Sequence, residues 1–128
     1  MDTNNDKELP HHELTREIIG SAFEVLNQLG HGFHEKPYEN ALVVELNARG
    51  ITVDQQKAYP IMYRNTEVGK YIPDLIVAES IVLDTKTVNQ IADLEKGQML
   101  NYLRITDLKV GLILNFKRPK LEWERIIL

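Results

Sequence analysis

The segment PDLIVAESIVLDTK, residues 73–86, constrains the fold of this chain more than any other. Leu75, Ile76, Val77 and Ala78, then Ile81, Val82 and Leu83, make two short apolar runs rich in β-branched residues. Runs of that length and composition are strands of a sheet covered on both faces. With Ala78, Glu79 and Ser80 as a three-residue loop, Val77 faces Ile81, Ile76 faces Val82, Leu75 faces Leu83 and Asp74 faces Asp84. Direct cross-strand neighbours lie about 5 Å apart at Cβ, where like charges destabilise. Lys86, two residues past Asp84, projects from the same face. A slip of one residue would spoil the pairing. The segment therefore asks why a buried hairpin carries two carboxylates and an ammonium at its base.

The rest of the chain supplies what covers that hairpin. Residues 15–29 repeat apolar positions at helical spacing: Ile18 or Ile19, Ala22, Phe23, Leu26 and Leu29 share a face. Thr15 suits an N-cap and Gly30 a stop. After the loop GHGFH, residues 36–49 read as a second helix, with Pro37 in its first turn and Gly50 at its end. Residues 51–65 read as one extended stretch in which Pro60 implies a bulge or an edge. EVGKYIPDLIVA and SIVLDTKTV read as two further strands, residues 91–104 as a third helix, and LKVGLILNF as a buried strand. LEWERIIL alternates as a last strand. The expected order is α-α-β-β-β-α-β-β: a flexible start over 1–13 and one α/β (α+β) domain over 14–128.

Composition narrows the function. At 43% hydrophobic and 27% charged, the 128 residues suit a single globular core rather than disorder. The absence of cysteine excludes disulfides and thiolate metal sites. No apolar run approaches the length of a membrane span, and MDTNNDKELP lacks a secretory pattern, so a cytoplasmic protein is expected. The net charge of −4 does not advertise a nucleic-acid binder. The charge is uneven, though: residues 1–83 hold 7 basic and 13 acidic side chains, residues 84–128 hold 8 and 6. Lys109, Lys117, Arg118, Lys120 and Arg125 make the C-terminal quarter the more basic end.

Carboxylates at the edge of an apolar core are costly unless compensated. Lys86 compensates part of the charge, and a divalent cation would compensate the rest. Mg²⁺ prefers two or three carboxylate oxygens and retained waters. It lowers the pKa of a bound water and stabilises charge on a phosphoryl oxygen. A plainer explanation competes: Asp74 starts a strand, Asp84 and Lys86 form an edge ion pair, and no metal binds. Other chemistries find no support. His11 and His12 fall in the flexible start, and His31 and His34 flank the loop before Glu35 without zinc-ligand spacing. No phosphate-binding glycine loop, nucleophile elbow or dinucleotide fingerprint is present.

Gly32, Glu35 and Tyr38 stand three apart in GFHEKPY. With Pro73-Asp74, Asp84-Thr85-Lys86 and the later QMLNYLR and GLILNF, they resemble the GxxExxY proteins of the PD-(D/E)xK nuclease superfamily, from about Leu14 to Ile127. The resemblance implies a restriction-endonuclease-like core, a mixed central sheet flanked by helices with a metal site at the hairpin. It assigns Asp74, Asp84, Lys86 and Glu35 to catalysis, and Asp74, Asp84, the Thr85 backbone carbonyl and Glu35 to a Mg²⁺ or Mn²⁺ ion. Glu35 is the additional helix-borne acid; Gln98 and Tyr102, one turn apart, are assisting residues. By its own chemistry a glutamate in a first helical turn also satisfies the macrodipole. Tyr38 reads as a packing residue with a hydrogen-bonded hydroxyl, and Gly32 as a turn.

The leading expectation is thus a hydrolase: a metal-dependent nuclease that cuts phosphodiester bonds of nucleic acid, DNA before RNA, by metal-activated water. The alternative is a non-catalytic nucleic-acid-binding or adaptor module that keeps the nuclease fold. With few basic residues one copy would neutralise few phosphates, and a homodimer would double the contact surface. A protein-interaction domain ranks last, since it leaves the two acids and Lys86 unexplained.

Overall fold

The computed structural model describes residues 11–128. Two helices come first, α1 (His12–Leu29) and α2 (Glu35–Ala48). Five strands follow: β1 (Val53–Gln55), β2 (Tyr59–Tyr63), β3 (Thr66–Tyr71), β4 (Leu75–Val77) and β5 (Ile81–Lys86). Then come α3 (Asp93–Thr106), β6 (Val110–Asn115) and β7 (Glu122–Ile127). The main sheet has the order β1-β4-β5-β6-β7, and only β5 and β6 run parallel, joined through α3. β2 and β3 form a separate two-stranded sheet.

The hairpin register follows the expectation. Leu75 pairs with Leu83, Ile76 with Val82 and Val77 with Ile81. Both faces of the sheet are covered. Leu75, Val77, Ile81, Leu83, Val110, Leu112 and Leu114 pack under α1 and α2, against Ile18, Ala22, Leu26, Tyr38, Leu42 and Leu46. Ile76, Val82 and Ile113 point the other way and meet Met99 and Leu103 of α3. Alternation across the pleat sends each strand's neighbours to opposite cores. Gly111 lets α3 settle close to the sheet, since a Cβ there would overlap the Met99 sulfur.

Several expectations need correcting. α1 starts before Thr15, which lies buried inside it with no side-chain hydrogen bond; His11 occupies the N-cap position. His12 and Glu13 belong to α1 rather than to a flexible start, while the first ten residues lie outside the described ones. Val25 takes the buried place expected of Phe23, which is 43% exposed, and Leu29 is similarly exposed. Residues 51–65 are two strands broken at Gln56, whose φ is 61°. The stretch EVGKYIPDLIVA is also two strands, because Pro73 cannot donate to a ladder. A register shift between Ile61 and Met62 supplies the bulge beside Pro60. Among the described residues no helix is long and apolar enough to cross a membrane.

Candidate active site

The ladder between β4 and β5 ends at Leu75–Leu83. Continued by one step, the register sets Asp74 opposite Asp84; by two, it sets Pro73 opposite Thr85. Proline has no N–H to give, so the edge of Thr85 that faces β4 goes unpaired by backbone. The Asp74 carboxylate fills half of that gap. Its Oδ2 accepts from the Thr85 N–H at 2.8 Å and from the Thr85 hydroxyl at 2.9 Å. The N–H and C=O of a strand residue point to the same edge, so the Thr85 carbonyl is directed toward Asp74 as well. On the other edge, the Lys86 carbonyl accepts from the N–H of Phe116, the residue just past β6.

Asp84 lies on the α3 side, beneath the half-buried hairpin base. Its Oδ2 is buried with no hydrogen bond. The Lys86 Nζ stands 3.2 Å from that oxygen, close enough to pair charges without the alignment of a hydrogen bond. Burial pushes the Asp84 carboxyl up to about 6, and the Asp74 charge adds to the push against the pull of Lys86. Burial works against the Lys86 ammonium, but the Asp84 carboxylate outweighs it and holds the lysine above its ordinary value. The Tyr71 and Tyr102 rings stack at 4.0 Å beside this group. Burial, and then the Asp84 charge, raises both phenols.

Glu35 begins α2. Its Oε2 accepts from the Thr87 N–H at 3.0 Å and from the Thr87 hydroxyl. The Thr87 hydroxyl bond holds its carboxyl below the usual range in spite of burial, and the Lys86 charge helps. Gly32, with φ of 113°, makes the turn into α2. The Tyr38 hydroxyl donates to the Gly30 carbonyl at 2.8 Å and accepts from the Phe33 N–H at 3.2 Å, while its ring stacks on Phe116 at 4.5 Å. Gly32, Glu35 and Tyr38 thus pin the start of α2 to the end of β5.

The structure gathers Asp74, Asp84, Thr85, Lys86 and Tyr102 around the hairpin base. It does not bring every expected residue there. Among the described residues no three Asp, Glu or His side chains converge as a cation site, so Glu35 does not join the aspartates in one cluster. Gln98 is half-buried on α3 and makes no side-chain hydrogen bond among the described residues. His31 and His34 are exposed.

Three residues escaped the sequence. Tyr71 was hidden inside an extended stretch. Glu39 is buried, and its Oε2 accepts from Lys36, Gln55 and Gln56. Its spacing of four from Glu35 on one helix was a usable signal. Asn115 holds the segment after Lys86: its Oδ1 accepts from the Val88 N–H and its Nδ2 donates to the Val88 carbonyl. A buried asparagine closing an otherwise apolar strand was its signal.

The carboxyl ends of the parallel pair β5 and β6 meet at this group, where open α/β sheets place their ligands. A family model of the PD-(D/E)XK nuclease superfamily matches residues 12–126. The chain belongs to that superfamily. No curated protein and no solved structure matches it. Asp74, Asp84, Thr85 and Lys86 all lie within the matched range. The donor set fits a hard divalent cation: one carboxylate oxygen with no hydrogen bond, a second carboxylate beside it, and a carbonyl on the same edge. Two carboxylates leave coordination places for water and phosphate, the arrangement Mg²⁺ favours.

Proposed function

We propose that this superfamily member is a Mg²⁺- or Mn²⁺-dependent nuclease acting on DNA. The observation that carries the reading is the mostly buried Asp84 carboxylate set between the Asp74 carboxylate and the Lys86 ammonium at the end of β5. Asp74, Asp84 and the Thr85 carbonyl would hold the ion. When bound, it supplies Lewis-acid stabilisation of the phosphoryl oxygens and a more acidic water. Lys86 orients the attacking water and neutralises charge developing on the phosphate. Asp74 fixes the site's edge through its two bonds to Thr85. Glu35 assists through water and Thr87 rather than as a direct ligand of the pair's ion. The neutral Tyr102 and Tyr71 phenols are donors at the rim. Gly32, Glu35 and Tyr38 support the finer placement among GxxExxY proteins.

The absence of a three-carboxylate cluster among the described residues favours a second reading, a non-catalytic nucleic-acid-binding module. Thermal stability separates the two. A protein that binds metal only when folded melts higher in excess Mg²⁺ or Mn²⁺. The nuclease reading expects that rise, and its loss in Asp84→Asn. No rise with either ion would favour the binding module.

A further inference from the structure

The β2–β3 hairpin leads directly into the candidate site. Its inner face anchors it: Tyr59 packs with the core beneath α3, and Tyr71 stacks on Tyr102. From Tyr71 the chain passes through Ile72 and Pro73 to Asp74. The other end stands away from the main sheet. Met62 is 55%, Tyr63 63% and Val68 60% exposed, a concentration of apolar surface on one small element.

Two further features separate this hairpin from an ordinary exposed edge. The first is charge. Residues 57–72 carry Lys57, Arg64 and Lys70 against the single acid Glu67, in a chain whose net charge is −4. None of the three cations forms a salt bridge among the described residues, while Lys57 lies over the Tyr59 ring and the Arg64 guanidinium 5.7 Å from the Tyr63 centroid. The second is the tip. Arg64 and Asn65 both adopt left-handed backbone, with φ of 49° and 62°, as a two-residue turn requires. Asparagine suits that conformation and arginine does not. The tightest turn of the hairpin thus gives up stability to hold an arginine outward beside an exposed tyrosine.

We propose that the β2–β3 hairpin is a gripping arm for single-stranded nucleic acid: Tyr63 stacks on an unpaired base while Arg64 and Lys70 meet flanking phosphates. The inference rests on the nuclease reading and extends it to a preference for unpaired substrate. Aromatic rings beside cations are how proteins hold single strands without reading sequence.

The test measures binding of a fluorescent oligothymidylate in chelator, across a salt series, with hydrolysis of bis(p-nitrophenyl) phosphate in Mn²⁺ as a parallel readout of the site. Tyr63→Ala is expected to weaken binding about tenfold, and Tyr63→Phe to restore it. Arg64→Asn is expected to reduce the slope of log K against log salt by about 0.7 while raising the melting temperature. Neither changes hydrolysis of the small phosphodiester, which is too short to reach the arm. Unchanged oligothymidylate binding and salt slope in both variants, with wild type binding well, would overturn the arm and leave the nuclease standing. Wild type that neither binds the oligonucleotide nor hydrolyses the small ester would sink both. A shift from dimer to monomer in sedimentation, with binding unchanged, would make the hairpin a contact between copies instead.

Discussion

The chain contains two β-hairpins of similar size with opposite characters. In β4–β5 every residue of β4 is buried, as are Ile81, Val82 and Leu83 of β5, and the polar groups collect at the base. In β2–β3 no residue is fully buried, and the exposed apolar side chains lie toward the tip. Both turn through non-glycine residues in left-handed backbone: Ala78 and Glu79 in one, Arg64 and Asn65 in the other. The difference is what the rest of the chain does for each. Helices on both faces force β4–β5 into one register and make any charge at its base expensive. The second hairpin is held only along one face, so its outer residues are free of packing and available for contact.

The largest effects are expected at the base of the buried hairpin. Lys86→Ala should lower cleavage by roughly 100-fold or more, with the fold retained. Asp84→Asn should abolish cleavage yet raise the melting temperature of metal-free protein at neutral pH, because it removes a buried charge repelled by Asp74. Circular dichroism and a cleavage assay on the same preparations check both. If Lys86→Ala unfolds the protein, the hairpin base is a structural ion pair and the contrast between the two hairpins collapses.

The same charge gives a pH dependence. An unfolded Asp84 titrates near its ordinary value of 3.8, while the folded one is pushed up to about 6. Between those values the folded state binds more protons, so stability falls as pH rises through the window and levels off above it. The cost is on the order of 3 kcal/mol. Chemical denaturation of metal-free protein at stepped pH should show this slope, and Asp84→Asn should remove it. Glu35 acts in the opposite sense: its lowered pKa stabilises the fold at neutral pH, and that share is lost as acid protonates it.

Smaller effects sharpen the comparison. Gly111→Ala, which forces Met99 off the sheet, should cost about 1–3 kcal/mol in denaturant unfolding. Glu79→Gly should add about 0.5–1 kcal/mol by relieving the left-handed turn, with no loss of cleavage. The turns then part company, since relieving Arg64 is expected to cost nucleic-acid binding.

This contrast also explains what the sequence could reveal. The β4–β5 register was legible because two apolar runs of matched length flank a short loop, and only one alignment buries both. Asp74, Asp84 and Lys86 followed from that register. The other hairpin was obscured because arginine is a poor marker of a left-handed turn, so Tyr63 and Thr66 gave no sign of facing each other. Pro73 was read as part of a strand, although its missing N–H both ends β4 and leaves the Thr85 edge to Asp74. Phe23 and Val25 exchange places because several apolar residues on α1 compete for one buried stripe, and periodicity alone does not rank them. Glu39 and Asn115 carry local signals, but these name no partner, because each residue bonds to segments distant in sequence.

The central claim is that Asp74, Asp84 and Lys86 form a metal-dependent phosphodiester-cleaving site. The most direct test incubates purified protein with labelled single-stranded, duplex and branched DNA and with RNA, in Mg²⁺, in Mn²⁺ and in chelator, beside Asp84→Asn and Lys86→Ala. The expected result is cleavage of DNA in metal, none in chelator, none by Asp84→Asn and a loss of roughly 100-fold or more in Lys86→Ala. Cleavage of no substrate in either metal, with both variants folded and indistinguishable from wild type, would contradict it.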